Sequence, residues 1–421
     1  MKSSTVKKLF SSIKKIINDI NIDNSKDKKI FKKIKDAFAT TDNINTIIGK
    51  TFSSTTGASI VNASEDVNFM NKELLNNIKN DLKITIFQTL NDILYWTKQK
   101  NKGDIENIKL TDSDVHVRGV GVCIVTFKDN TQLVIKPEDK TFEKIVYGSN
   151  EESLAKDFNK IEQNNRNKDI GTLNIDTGDG KHGSAVEYFE HYDRYKNQSK
   201  DAEINKDSLD DIIEFASLLG LGDLHHENLV YGKEGYRQNK AQLIDAEVGL
   251  KFSLDEQNGL STSIGKSEMC LALPYAYHPE FQYNNAYIDK LTNFLEKAKD
   301  KLRGKKSRRV LFPTGKLYTF RKMFYIDDKR MNIDLYEKEM KKTNTFQEGG
   351  WEILDSVQRA FDLMIEDFKK GRIPFYEHDF ATGVIVQKFS NGDEIPVLFN
   401  PEKTSDKIIN KNIEVLTNMK R

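Results

Sequence analysis

The stretch that most constrains this chain is Gly222-Asp223-Leu224-His225-His226-Glu227-Asn228, followed by Leu243-Ile244-Asp245-Ala246-Glu247. An Asp, an Asn five positions later, and a second Asp closing a short apolar run form the acidic half of a phosphoryl-transfer site. In such sites the first Asp positions a hydroxyl nucleophile, while the Asn and the second Asp hold the metal ions that bridge the phosphates. The three side chains must converge, which a tight loop running into a strand achieves.

The complementary basic half is expected upstream. Val115, Val117, Val120, Val122, Ile124 and Val125 are densely β-branched and favour strand. Asp129-Asn130 supplies a turn, and Leu133-Val134-Ile135-Lys136 reads as the returning strand, ended by Pro137. Gly119 and Gly121 stand one hairpin before that lysine. Kinases use this order, with a glycine-rich turn over the phosphates and a strand-borne lysine that pairs with them. A helix over about 141–161 is expected to carry the Glu that braces the lysine, and Glu143, Glu151, Glu152 and Glu162 are all candidates. Val186-Glu187-Tyr188-Phe189 reads as a strand leading to a hinge. Asp207-Ser208 offers an N-cap. Leu209, Ile212, Ile213, Ala216 and Leu219 then form an amphipathic helix running into Gly222-Asp223.

The flanks are simpler. Residues 1–40 carry eleven Lys and four Asp, with Leu9, Phe10, Ile13, Ile16, Ile17 and Ile20 at helical spacing. The commoner use of such a pattern is a helix docked by its apolar face; the alternative is an interfacial or targeting helix. Residues 51–65 read as a linker, and 67–98 as a helix with Leu74, Ile78, Leu82, Ile86, Leu90 and Ile93 on one face. Past Phe252 a polar stretch with Gly259 and Ser261-Thr262-Ser263 reads as loop, and 288–302 as helix. The basic cluster 301–309 is either a solvated helix end or a phosphate-binding group. A last amphipathic helix spans about 351–369, stopped by Gly371 and followed by extended Ile373-Pro374-Phe375-Tyr376.

Composition narrows the function classes. Lys and Arg (65) nearly balance Asp and Glu (64), which gives no global case for a nucleic-acid partner. Cys123 and Cys270 make neither a disulfide framework nor a zinc site. No apolar run approaches the ~18 residues of a membrane span, and the N-terminus has no signal-peptide core. The default location is cytoplasmic, with secretion into a host cell as an effector kept as an alternative.

Together these residues resemble the dehydratase domain of class II lanthipeptide synthetases, over about residues 110–385. The matching runs are Asp114-Val115-His116 through the glycines to Lys136-Pro137, then Glu187-Tyr188-Phe189-Glu190, Asp223 to Asn228, and Asp245-Ala246-Glu247. Residues 308–318 and Gly371-Arg372-Ile373-Pro374-Phe375-Tyr376 complete them. The resemblance implies an α+β fold with a two-lobed core like that of protein and lipid kinases. Residues 1–110 would be an N-terminal helical region, 111–190 the N-lobe, and 191–421 the C-lobe with extra C-terminal helices.

It also implies an enzyme that phosphorylates Ser or Thr of a peptide or protein with ATP and Mg²⁺. The phosphate is then eliminated, leaving dehydroalanine or dehydrobutyrine. On that resemblance Lys136 binds the ATP phosphates, with Asp114, His116, Gly119 and Gly121 in the covering loop and Glu247 as the second acid. Asp223 is the base or the orienter for the substrate hydroxyl with His225 beside it, and Asn228 and Asp245 hold Mg²⁺. Arg308 and Thr314 serve the elimination. Three departures stand out: the family's zinc-holding cyclase has no counterpart after residue 385, the stretch between Glu247 and Arg308 is short, and Phe312 replaces a commonly basic residue. The alternatives are a Ser/Thr kinase without elimination and a pseudokinase scaffold. The basic N-terminus leaves open contact with a leader peptide, a host protein or an acidic membrane.

Overall fold

The periodic apolar face read at 67–98 becomes the long helix Lys72–Gln99, with Leu74, Ile78, Leu82, Ile86, Leu90 and Ile93 buried. Asn71 caps it, accepting from Leu74 N at 2.8 Å. The computed structural model describes residues 4–22, 24, 26–53, 60–111, 113, 115–191, 206–222, 224, 228–233, 237–238, 240–245, 248–251, 254, 283–309, 311–312, 314–325, 332–347 and 350–420. It is an α+β structure with two five-stranded antiparallel sheets.

Three helices, Ser4–Asp19, Lys28–Phe38 and Thr41–Phe52, pack with the long helix in one core. A helix of 16 residues such as Ser4–Asp19 is marginal alone. Burying Val6, Leu9, Ile13 and Ile17, at about 1.5–3 kcal/mol each, makes it stable here. Lys7, Lys8, Lys14 and Lys15 stay in solvent, so the docked arrangement is the one observed. The stretch read as a linker is partly helical. Helix Thr41–Phe52 runs into it and helix Ile60–Asp66 occupies its far side, followed by buried Val67. Residues 54–59, including Ser54 and Gly57, lie outside the described residues.

The first sheet runs in the order Ile105–Leu110, Cys123–Phe127, Gln132–Lys136, Ser184–Glu187, Ile175–Asp176. Its outer strand, Ile105–Leu110, lies within the stretch read as helical. Buried Asn43 covers that edge, donating to Ile108 O at 2.8 Å and accepting from Leu110 N at 2.8 Å. Residues 115–122 are irregular despite their valines. Their backbone turns at Gly119, where the Gly119 and Val120 amides bond side chains of the long helix, and Val122 O accepts from Thr111 N at 3.0 Å beside the outer strand. The segment 141–161 divides into Thr141–Tyr147 and Leu154–Asn159, separated at Gly148, with Ser153 capping the second.

A second core gathers those two helices with Lys206–Leu218, Asn285–Leu302, Ser405–Asn418 and the hairpin Leu229–Tyr231/Ala241–Leu243. Ser208 lies inside the first turn of its helix and is not an N-cap. Its hydroxyl accepts from Ala241 N at 3.2 Å and so ties helix to hairpin. The second sheet has no counterpart in the sequence reading beyond the extended segment at 373–376. It runs Lys306–Arg308, Phe375–Asp379, Val384–Lys388, Glu394–Phe399, Glu352–Ile353. Helix Val357–Lys369 begins six residues later than read, because Glu352 and Ile353 belong to this sheet. Its end is as read, with Gly371 at φ +77°. Among the described residues no helix is long and apolar enough to cross a membrane. The loop read after Phe252 falls in 255–282, outside the described residues.

Candidate active site

Lys136 ends a strand of the first sheet, opposite Ser184. Asp245 follows the hairpin strand Ala241–Leu243, whose Leu243 pairs with Leu229 directly after Asn228. Ile244 N donates to Asn228 O at 3.0 Å, so the register of the hairpin holds the segments of Asn228 and Asp245 side by side. Lys136 Nζ lies 3.1 Å from Asp245 Oδ1 and donates to Ile244 O at 3.2 Å. The lysine and the second acid therefore meet. Of the four glutamates considered as a brace, Glu143 is buried, whereas Glu151, Glu152 and Glu162 are exposed.

Glu143 does not bond Lys136 directly in this arrangement. Its Oε1 lies 2.9 Å from Lys140 Nζ, and Lys140 Nζ lies 3.4 Å from Asp245 Oδ1. Lys136, Asp245, Lys140 and Glu143 thus form an alternating chain of charge. The sequence reading missed Lys140. Its only signal was i,i+3 spacing to Glu143, which is common on helix surfaces.

A second meeting joins His116 and Arg308. Arg308 sits on the edge strand Lys306–Arg308, paired with Glu377, and its Nη2 is 3.1 Å from His116 Nε2. A guanidinium only donates, so the imidazole lone pair lies on Nε2 and its proton on Nδ1, which faces Ile373 O at 3.4 Å. Phe375 lies against both, 5.4 Å from the His116 ring centre and 5.6 Å from the Arg308 guanidinium carbon. The two meetings are linked, because Gly249 N, just after Asp245, donates to Ser307 Oγ at 3.3 Å.

The glycine turn stands beside Pro137. Gly119 and Gly121 have φ of +65° and +101°, which side chains rarely adopt. A Cβ on Gly119 would also press on Pro137 and Thr89 at 3.1 Å. Gly119 N donates to Gln88 Oε1 at 3.1 Å and Val120 N to Thr89 Oγ1 at 3.0 Å, so these two amides are engaged within the protein. Arg118 of the same turn forks onto Asp92 at 2.7 and 3.0 Å. Burial dominates at Asp92 and pushes its carboxyl up to about 6, against the lowering pull of Arg118. Arg372, itself buried, forks onto Asp81 at 2.9 Å and also bonds Val117 O, anchoring the backbone beside His116.

Asp114, Asp223, His225 and Glu247 lie outside the described residues. Thr314 opens the helix Thr314–Tyr325. Phe312 is buried among Phe320, Tyr336 and Tyr376. Among the described residues no group of three His, Cys, Asp or Glu could hold a metal. An Asn amide and a partly open Asp carboxylate are nonetheless hard oxygen donors of the kind Mg²⁺ accepts alongside water and phosphate.

A family model described as a domain of unknown function (DUF4135) matches residues 59–278, more than half of the chain. The chain belongs to this family. The DUF4135 match takes in His116, Lys136, Lys140, Asn228 and Asp245, and ends before Arg308 and Thr314. No curated protein matches the chain.

Proposed function

We propose that this chain transfers phosphate from ATP to Ser or Thr of a peptide or protein, then eliminates it to leave dehydroalanine or dehydrobutyrine. The observation that carries the reading is the contact of Lys136 Nζ with Asp245 Oδ1 at 3.1 Å. It joins a strand-borne lysine to the acid that follows a D-x-x-x-x-N loop, as a two-lobed kinase-like core requires. The DUF4135 domain is associated with lanthipeptide synthetase-like proteins, which agrees with the resemblance of the motifs.

ATP supplies the phosphoryl group and Mg²⁺ the charge that neutralises it. In this proposal Lys136 holds phosphate oxygens, and Asn228 and Asp245 hold Mg²⁺. Asp223, with His225 beside it, orients the hydroxyl, and Glu247 is the second acid. With the amides of Gly119 and Val120 engaged by the long helix, Lys136 is the principal phosphate contact on this side. Elimination needs removal of an α-proton and neutralisation of a departing dianion. Arg308 offers phosphate the paired N–H donors that a lysine lacks, close to His116 and followed by Thr314. The exposed lysines of Ser4–Asp19 offer charge to an acidic partner such as a leader peptide or membrane surface.

One observation favours a kinase that stops at the phosphate. Phe312, where family members commonly carry a basic residue, is buried in an aromatic cluster and adds no cation beside Arg308. Mass spectrometry of Ser/Thr peptides incubated with the chain, ATP and Mg²⁺ separates the readings. Loss of water supports the dehydratase, gain of phosphate alone the kinase, and an unchanged mass the scaffold.

A further inference from the structure

We propose that the lysine-covered outer side of the first two helices is a peripheral docking surface for a bilayer rich in anionic phospholipid. Its use does not require the chemistry proposed above. Helix Ser4–Asp19 places Lys7 about two turns from Lys14 and Lys8 about two turns from Lys15, away from buried Val6, Leu9, Ile13 and Ile17. Helix Lys28–Phe38 buries Phe31, Ile34 and Phe38 and exposes Lys28, Lys29 and Lys32, with Lys26 exposed just before it. Lys35 joins the two helices. Its Nζ donates to the C-terminal carbonyls of the first, Asn18 O at 2.8 Å and Ile20 O at 2.7 Å.

None of these exposed lysines has a carboxylate partner among the described residues. Asp27, between Lys26 and Lys28, is taken by Lys98 at 3.0 Å. The other basic stretch of the chain differs. Lys301 lies on Asp157 at 2.7 Å, Arg303 on Asp406 at 3.4 Å and Lys306 on Glu394 at 3.3 Å. That stretch is neutralised by its own neighbours, whereas the N-terminal one is left to an outside anion.

The rest of the surface selects a bilayer over an acidic peptide. Peptides are recognised by grooves, apolar anchors or directed donors. Here the apolar rows of both helices are used in the core, and the hydroxyls among the lysines turn back on the helix. Ser11 Oγ donates to Lys7 O at 2.9 Å and Ser12 Oγ to Lys8 O at 2.8 Å. What faces outward is a spread of ammonium groups, complementary in charge to a field of anionic headgroups. Ile30, 38% exposed, is the only large apolar side chain of either helix that is exposed. One such side chain does not make the inserting face of an interfacial helix. Attachment is therefore electrostatic and fades within a Debye length, about 10 Å at 0.1 M salt.

The test is co-sedimentation of the full chain with vesicles of phosphatidylcholine alone and with about one-third phosphatidylserine, at about 0.1 M and about 0.5 M salt. Wild type is expected to bind only the serine-containing vesicles, at least about tenfold more weakly at the higher salt. Changing Lys7, Lys8, Lys14 and Lys15 together to Gln is expected to weaken binding at least about 50-fold, each lysine near the surface being worth roughly fivefold. Changing the same four to Arg keeps the charge and should keep the binding. A control changes Lys290, Lys297, Lys407 and Lys411, exposed on helices Asn285–Leu302 and Ser405–Asn418, to Gln. It loses the same charge and should stay within about threefold of wild type. If the first Gln variant fails to fold, the lipid and salt dependence of the wild type and the Arg variant decides. Equal binding to both vesicles, or equal loss in the control, would overturn the proposal. A labelled poly-glutamate peptide is titrated alongside by fluorescence anisotropy. Peptide binding without vesicle binding would assign the surface to an acidic peptide and overturn it too, as would binding to neither.

Discussion

Two parts of the candidate site are held together by different physics. Around Asp245, Lys136, Lys140 and Glu143 alternate in charge and are largely buried, so each group is fixed by its opposite. Around Arg308, a cation meets the lone pair of a neutral imidazole, with the Phe375 ring against both. The first part tolerates little change in charge. The second depends on shape and donor direction, and retains its environment if one donor is lost. The DUF4135 match covers the first part and ends before Arg308, so the two parts also differ in how they relate to the family. On the function proposed here, they serve the two successive steps.

The widest perturbation should come from the buried arginine that anchors the backbone beside His116. Arg372 forks onto Asp81 and holds Val117, next to His116 and the glycine turn. Arg372→Ala is expected to cost about 3–5 kcal/mol of stability, read by urea unfolding, because it strands a buried carboxylate. A loss under 1 kcal/mol would mean that the pair behaves like an exposed one. Next in size is Lys136→Met, which should lower phosphorylated and dehydrated products together by roughly 10²–10³-fold, as loss of a preorganised charge does. A variant that still phosphorylates at the wild-type rate would remove Lys136 from the first step.

Asp92 gives a prediction in pH. Its carboxyl is raised from 3.8 to about 6 by burial, so the folded state keeps that proton longer than the unfolded chain does. Its contribution is complete below about pH 4 and is lost as pH rises to about 6, at most about 3 kcal/mol. Asp92→Asn should flatten that segment of the stability profile, and an unchanged slope would assign it to other groups. The smallest effect is expected for Arg308→Lys, which keeps the charge and loses the fork. Elimination should fall about 10- to 100-fold with phosphorylation intact. Equal loss of both products would merge the two parts into one.

The sequence carried the parts of this architecture that depend on local pattern. Leu74 to Ile93 repeat at helical spacing, and their helix is present with that face buried. Lys136 before Pro137 marks a strand end that is also present. What it did not carry were arrangements whose cause lies far along the chain. Ile105–Leu110 alternates only over its last four residues, burying Ile108 and Leu110, and its edge is satisfied by the distant Asn43, so the pattern is too short to announce a strand. The second sheet opens with three residues at 306–308 and closes with two at 352–353, too few for a period to show. Glu143 could not be separated from Glu151, Glu152 or Glu162 without burial, and Lys140 gained meaning only once Asp245 came within 3.4 Å. Phe312 read as a missing cation, whereas packing gives it a place in the aromatic core.

The most direct test compares Lys136→Met and Arg308→Ala in one experiment, with wild type as reference. Each is incubated with ATP, Mg²⁺ and a Ser/Thr peptide that wild type dehydrates, and intact masses are followed over time. The account predicts an unmodified peptide with Lys136→Met and accumulating phosphopeptide, without loss of water, with Arg308→Ala. Undiminished loss of water with Arg308→Ala would contradict it.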